Sequence, residues 1–160
     1  MSRFQEFCES LRAGKARADE EQLEREERLR DLPVALGEVF RRMCASFRCP
    51  ASQAHYVDLE TDTVGGTVQD ATPPIRFCPD KGRYRLGLEI RVGAPADQDQ
   101  YPLWLSFEFA PLKPGGLEFH LGSSIFKLPA EEEAFFNHVA DAINQDLRQG
   151  CAPAPRRIGF

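Results

Sequence analysis

Three cysteines and a histidine have the side-chain types that bind zinc. Cys44, Cys49, His55 and Cys78 could supply three thiolates and one imidazole to a tetrahedral ion. Their spacing argues against this, because the sequence has no Cys-x-x-Cys pair and Cys44 falls on an apolar helical stripe. We therefore expect ordinary buried thiols, with neither a metal nor another cofactor.

The imidazoles available to a catalytic cysteine are His55, His120 and His138. None lies in a recognisable local signature, although a cysteine nucleophile needs a base within hydrogen-bond reach. His120 is the most interesting, since it would share a sheet face with several charged residues. The sequence therefore favours a non-enzymatic protein over an enzyme.

Two further motifs, one of carboxylates and one of paired glycines, could in principle bind a cation or a phosphate. Asp58, Glu60 and Asp62 alternate along a predicted strand, where alternate residues stand about 7 Å apart, so a solvated acidic stripe is favoured over a cation site. The pairs Gly65–Gly66 and Gly115–Gly116 are not followed by the Lys-Ser or Lys-Thr of a phosphate-binding loop. Both pairs are predicted to be turns.

Apolar periodicity predicts an α+β fold that would position these residues. Helical spacing runs from Leu32 to Phe47, before Pro50, and again after Pro129 until Gly150. Between these helices, apolar residues alternate with polar ones, which predicts about five antiparallel strands joined by short links. The C-terminal helix is expected to pack on the apolar face of this antiparallel meander.

The inner side of that sheet suggests a ligand pocket as one alternative. Aromatic side chains from two strands and the last helix would line an apolar space between them. These residues are Phe107, Phe109, Phe119, Phe135 and Phe136.

The outer side of the sheet supports two interpretations. Alternation places Trp104, Arg85, Arg91 and His120 there, among the carboxylates of neighbouring strands. Opposite charges commonly pair across a solvated sheet, which would leave no binding role. Alternatively, the cationic residues and Trp104, as an aromatic anchor, form a docking surface for an acidic peptide or ligand.

The N-terminal segment offers a different surface. Phe4, Phe7 and Leu11 recur at helical spacing, followed by a stretch dense in opposite charges three and four residues apart. A helix of this kind buries little by itself, so something should cover its phenylalanines. They either fold back on the same domain or contact another chain, including a second copy.

The division of the chain follows from these patterns. We predict a charged helical extension over residues 1–31, the α+β domain over 32–150 and a Pro-rich tail over 151–160. The tail could make a second short contact with a partner through Arg156, Arg157, Ile158 and Phe160. Disorder is the usual expectation for a terminus.

Composition narrows the class of protein. With a formal charge of −5 and 42% hydrophobic residues, the chain should fold and should weakly repel nucleic acid and anionic membranes. It contains no run of eighteen apolar residues and no secretory leader pattern. Its five cysteines, an odd number including Cys8 and Cys151, suit a reducing cytoplasm.

These observations favour a non-enzymatic cytoplasmic protein-interaction module, such as an adaptor, chaperone or inhibitor. Its contacts would come from Phe4, Phe7 and Leu11 on the N-terminal helix, and from the polar face of the sheet. The partner would be another protein or a second copy of the chain. A small-ligand-binding domain is the alternative.

Overall fold

The first part of the chain forms one long helix, α1 (Arg3–Arg30). A capping box starts it, because the Ser2 hydroxyl accepts the Gln5 N–H at 3.2 Å and the Gln5 side-chain oxygen accepts the Ser2 N–H at 3.0 Å. The helix continues through Gly14 without a break. Strong helix formers on both sides outweigh the cost of about 1 kcal/mol that a glycine imposes.

The structure, a computed structural model, describes residues 2–113, 115–150 and 156–158. Outside these ranges lie residue 114, which directly precedes the predicted Gly115–Gly116 turn, and Cys151 and Phe160 of the tail. The chain divides into two units, Met1–Leu32 and Pro33–Phe160.

The chain from Leu32 onward holds the α+β fold, which confirms the predicted class. In chain order its elements are α2 (Leu32–Ser46), β1 (Ala54–Asp58), β2 (Thr63–Thr67), β3 (Arg76–Cys78), β4 (Arg83–Val92), β5 (Tyr101–Pro111), β6 (Leu117–Leu121), β7 (Ser124–Leu128), α3 (Glu132–Arg148) and β8 (Arg156–Ile158). A short 3-10 turn, Ala51–Gln53, precedes β1.

The described residues form one sheet of eight strands, more than the five or so that the alternation predicts. Its order is β2-β1-β4-β5-β6-β7, with β3 beside β4 and β8 beside β5. The pairs are antiparallel except for β8, which runs parallel to β5. β4 pairs along one edge of β5, so β6 and β8 share the other edge, each pairing with a different part of β5.

The core lies on one side of the sheet, beneath α2 and α3. Phe40 of α2 packs against Phe107 of β5 with ring centroids 5.1 Å apart, and the ring centroid of Phe135 of α3 lies 4.5 Å from that of Phe119 of β6. The predicted packing of the C-terminal helix on the apolar face is confirmed. The alternating residues that point inward from β4 and β5 are buried; they are Leu86, Leu88, Ile90, Leu103, Leu105, Phe107 and Phe109.

The first hairpin turns earlier than predicted. Gly65 and Gly66 lie within β2, and the chain reverses between β1 and β2 instead. There the Asp58 carboxylate accepts the Glu60 N–H at 3.1 Å, and Asp62 takes a left-handed φ of 51°, which Asp tolerates better than most residues. Glu60 and Asp62 therefore belong to the turn, and the predicted acidic stripe along one strand does not form.

The chain also reverses after β6. The sequence predicts that this strand extends or kinks through Ser123 and Ser124, whereas the structure has a tight turn at Gly122, where φ is 62°. Only glycine adopts this conformation at no steric cost. The reversal produces β7 as a separate strand beside β6.

Candidate functional site

The thiols and the imidazole that could bind zinc do not gather at one point, although Cys44 and Cys49 lie close together and line the same surface cavity. Burial raises the pKa of Cys44 to about 12, so this side chain stays a neutral thiol near neutral pH. Burial also raises the pKa of Cys49, whose Sγ lies 3.6 Å from the carbonyl oxygen of Pro50. His55 points to the opposite sheet face from Tyr56, whose ring contacts α2. The described residues include no group of three or more side chains placed to hold a metal ion.

Trp104 lies on the polar face of the sheet, but it is buried. Its residue is only 7% exposed, and its Nε1 donates to Glu89 Oε2 at 2.9 Å. The segment that covers it is β8, in which Arg157 is in register with Trp104 and places its guanidinium 5.4 Å from the ring centroid. Arg157 also contacts Asp62 at 2.7 Å. Trp104 is therefore not a free aromatic anchor.

Glu89 links Trp104 to another residue of the predicted docking surface. This carboxylate is 5% exposed and accepts a second bond from Arg91 Nε at 2.7 Å. Burial, followed by the charge of Arg91, lowers the pKa of the neighbouring His55. Each Glu89 oxygen therefore accepts one hydrogen bond, so the buried carboxylate is satisfied within the chain.

A second charged group surrounds Glu108 on the same face. Lys81 Nζ donates to its carboxylate at 2.7 Å and Arg83 at 3.1 Å. The hydrogen bond from Lys81 is the main cause that lowers the pKa of Glu108, and the charges of Arg83 and Arg85 add to it. Glu108 thus engages Lys81 and Arg83 within the chain.

His120 and Arg85 complete this part of the sheet. His120 is in register with Glu108, and its Nε2 lies 2.8 Å from Glu118. Arg85 lines a surface cavity of about 440 Å³ beside Phe77, a ring that is 54% exposed. Arg85 of β4 and His120 of β6 lie on the two strands that flank β5, and both are in register with Glu108. Arg91 belongs to the separate group around Glu89.

The five phenylalanines of the alternative ligand pocket pack against one another. Ring centroids of contacting pairs lie between 4.5 and 6.2 Å apart, and four of the five side chains have no exposed surface. These rings therefore form the core, and the space proposed between them is filled. They are Phe107, Phe109, Phe119, Phe135 and Phe136.

A cavity does exist between the sheet and α3, at a position the sequence analysis did not identify. It measures about 390 Å³, within the usual range for small-molecule sites. Its walls are largely apolar and come from the segment between α2 and β1, the end of β4 and the middle of α3. They include Phe47, Ile90, Val92, Ala140 and Ile143, together with Arg48, Cys49, Gln53 and Asn144.

Gln53 is the best-positioned polar group of this cavity. Its Nε2 donates to the carbonyl oxygens of Arg91 at 2.7 Å and Gly93 at 2.8 Å. Its buried Oε1 has no hydrogen-bond partner among the described residues. No local motif marks this cavity, because its walls come from three segments far apart in sequence.

Three exposed apolar side chains lie close together near the N-terminal end of α1. Phe4 is 73% exposed, Phe7 65% and Leu11 58%. Spacings of three and four residues place all three on one helical face. We call these three residues the apolar tip. Their spacing in the sequence predicts this face, and their exposure distinguishes them from the buried aromatic residues of the sheet.

No family model, curated protein or solved structure matches this chain. Within the described ranges, no helix has both the length and the apolar character required to cross a bilayer.

Proposed function

We propose that the protein is a non-enzymatic protein-interaction module that binds its partner through the apolar tip of α1. One observation carries this proposal: two phenylalanines and a leucine, each more than half exposed, share one face of a capped helix. Burying such a side chain contributes roughly 1.5–3 kcal/mol, so a partner that covers all three gains substantial binding energy.

The polar face of the sheet is a weaker candidate for this role. Trp104 is covered by β8. The carboxylates of Glu89 and Glu108 already engage Arg91, Lys81 and Arg83. Binding an acidic peptide there would require breaking those contacts. The proposal therefore rests on α1 alone.

The compartment proposed for this activity is the cytoplasm. Cys8, Cys44, Cys49 and Cys78 are all unpaired thiols in the structure, which suits a reducing environment. The formal charge of −5 disfavours nucleic acid as the partner.

The test replaces the apolar tip by alanine, which preserves helix propensity. We expect Phe4→Ala, Phe7→Ala and Leu11→Ala, combined in the full chain, to abolish capture of the partner while the thermal unfolding transition stays unchanged. Leu23→Ala is the matched control, because Leu23 is 59% exposed on the same helix but lies away from the tip's face. Equal capture by wild type and the triple variant would refute the proposal.

Removing residues 1–30 extends the test. The truncated protein should have the same melting temperature as the full chain and should no longer capture the partner. A truncated protein that no longer folds would show that α1 stabilises the second unit, which would count against an interaction helix.

A small-ligand-binding function is the second candidate, and the cavity beside Gln53 supports it. The apolar walls suit an apolar ligand, and the unpartnered Oε1 suits a ligand that donates a hydrogen bond. The anionic apolar dye anilinonaphthalene sulfonate probes the apolar part. Its fluorescence should rise with wild type and not with Ala140→Trp, which fills the cavity. Equal signals from both proteins would eliminate this candidate.

A further inference from the structure

Charge is distributed unevenly along α1. Residues 3–17 contain four cations and two carboxylates, a net charge of +2. Residues 18–30 contain three cations and six carboxylates, a net charge of −3. The helix therefore has a basic half, which carries the apolar tip, and an acidic half.

The face of the apolar tip continues along the helix. Leu29 lies eighteen residues after Leu11, which is about five turns, and Ala18 falls between them on the same face. Gln22 and Arg25 also fall on this face, so it is polar between Ala18 and Leu29. Leu29 itself is half-buried. Large side chains thus lie at both ends of this face and small ones near its middle, at Gly14 and Ala18. Small residues let the axes of two helices approach closely.

These two features select one orientation for a pair of identical helices. A parallel pair in register would place +2 beside +2 and −3 beside −3, which is repulsive at both ends. An antiparallel pair places each basic half beside an acidic half, and it brings Phe4 near the partner's Leu29. Opposed helix dipoles favour the same arrangement.

We propose that the occupant of the apolar tip is a second copy of this chain, whose α1 packs antiparallel against the first. The inference rests on the proposed function and names the partner. The contact is two-fold symmetric, so each basic half with its tip meets the other copy's acidic half. A different protein, or a parallel pair, is an alternative that the experiments below distinguish.

The first experiment measures the molar mass of the full chain by light scattering over a range of concentrations. Wild type should be a dimer whose dissociation constant increases with salt, because salt screens the attraction between the two halves. The triple alanine variant of the tip should be monomeric, and Leu23→Ala should remain dimeric.

Charge variants then test the pairing of the halves. Arg12→Glu, Lys15→Glu and Arg17→Glu together make the basic half acidic, and Asp19→Lys, Glu21→Lys and Glu26→Lys together make the acidic half basic. Each set alone should weaken self-association by about tenfold or more, since every contact becomes repulsive. Mixing the two variants should restore a heterodimer. Self-association unaffected by either set would overturn the inference.

Cys8 reports the orientation directly. In a parallel pair the two Cys8 thiols would be neighbours, whereas in an antiparallel pair they lie roughly 25 Å apart along the axis at 1.5 Å per residue. Under oxidation we expect no Cys8–Cys8 peptide by mass spectrometry in wild type. We expect a disulfide from Cys8 to the new thiol in the Glu26→Cys variant. An abundant Cys8–Cys8 link would overturn the antiparallel arrangement.

Failure of this inference is distinguishable from failure of the proposed function. If wild type is monomeric at every concentration but loses capture of another protein on mutation of the tip, the second copy is excluded and the interaction function stands. If it is monomeric and the tip variants change no capture, both are refuted.

Discussion

At the residue scale, Glu89 is a buried acidic side chain whose burial depends on hydrogen bonds from its neighbours. It is almost fully buried, and the Arg91 and Trp104 side chains occupy its two oxygens. We expect Glu89→Ala to lower the free energy of unfolding by about 1–3 kcal/mol, because it leaves the buried Trp104 N–H without an acceptor. Urea denaturation followed by circular dichroism measures this change.

The control for Glu89 is another carboxylate of the same sheet face. Glu118 is more exposed, with a side-chain accessibility of 23%, and it contacts His120. Glu118→Ala should cost less than about 1 kcal/mol, as partly solvated pairs usually do. If the two substitutions cost the same, burial of Glu89 does not determine its contribution.

Glu108 gives the fold a predictable dependence on pH. Its hydrogen bond from Lys81 lowers its pKa below the usual value of 4.5. Its contribution to stability is therefore fully present above pH 4.5 and is lost as the pH falls through the folded-state pKa. The stability difference between wild type and Glu108→Gln should accordingly be largest near neutral pH and shrink under acid. Denaturant titrations at several pH values measure it.

Asp99→Asn provides the comparison for this pH series. Asp99 is exposed in the loop before β5, and the described part of the chain gives it no ion pair. Its substitution should leave stability nearly unchanged at each pH. A Glu108→Gln difference that grows on acidification would contradict the assigned role of Lys81.

At the scale of elements, β8 fills part of an edge that β6 leaves open. Ile158 is 6% exposed and pairs in register with Leu105, so it points toward the core. We expect Ile158→Ala to cost about 2 kcal/mol or more, as buried isoleucines generally do. Arg157→Ala should cost less than about 1 kcal/mol, because that side chain is 61% exposed. Thermal and urea unfolding of both variants will show whether the apolar contact of Ile158 or the ionic contact of Arg157 contributes more to stability.

The reverse ranking would have a clear meaning. If Arg157→Ala destabilises the fold more than Ile158→Ala, the contacts of Arg157 with Trp104 and Asp62 hold β8 in place, and the apolar contact of Ile158 is secondary.

Sequence alone predicts the elements that have long, regular patterns. The strict alternation in β4 and β5 and the apolar stripes of α2 and α3 are sufficient to assign the α+β class and the core face. Gly65 and Gly66 misled the prediction of the first hairpin, because glycine pairs commonly form turns and here lie inside β2. β8 has only three residues, too few to show a period.

The candidate site illustrates the same limit. Periodicity identified Phe4, Phe7 and Leu11, since neighbouring residues on one helix define a face by themselves. Trp104 was assigned correctly to the polar side of β5, but its covering segment lies some fifty residues later in the chain. The cavity beside Gln53 likewise depends on contacts between distant segments.

At the scale of the whole molecule, the two units differ in how their backbone hydrogen bonds are protected. The amides of β4 and β5 lie in a sheet covered by buried side chains, whereas nearly all described side chains of α1 are exposed. Hydrogen exchange should therefore be orders of magnitude faster in α1 than in β4 and β5 at low protein concentration. Mass spectrometry of peptic peptides resolves the two regions.

Concentration adds a second expectation to this measurement. If α1 pairs with another copy, its exchange should slow as the protein is concentrated, while exchange in β4 and β5 stays constant. Exchange in α1 as slow as in the central strands of a dilute sample would contradict the difference between the units.

The position of Trp104 gives the protein an intrinsic optical probe. It is the only tryptophan in the chain, so the indole emission of the whole protein comes from one place, between Glu89 and the guanidinium of Arg157. Any event that lifts β8 from the edge of β5 admits water to the indole and should shift its emission to longer wavelength. Stopped-flow fluorescence of the unlabelled protein can thus time the release and return of a three-residue strand.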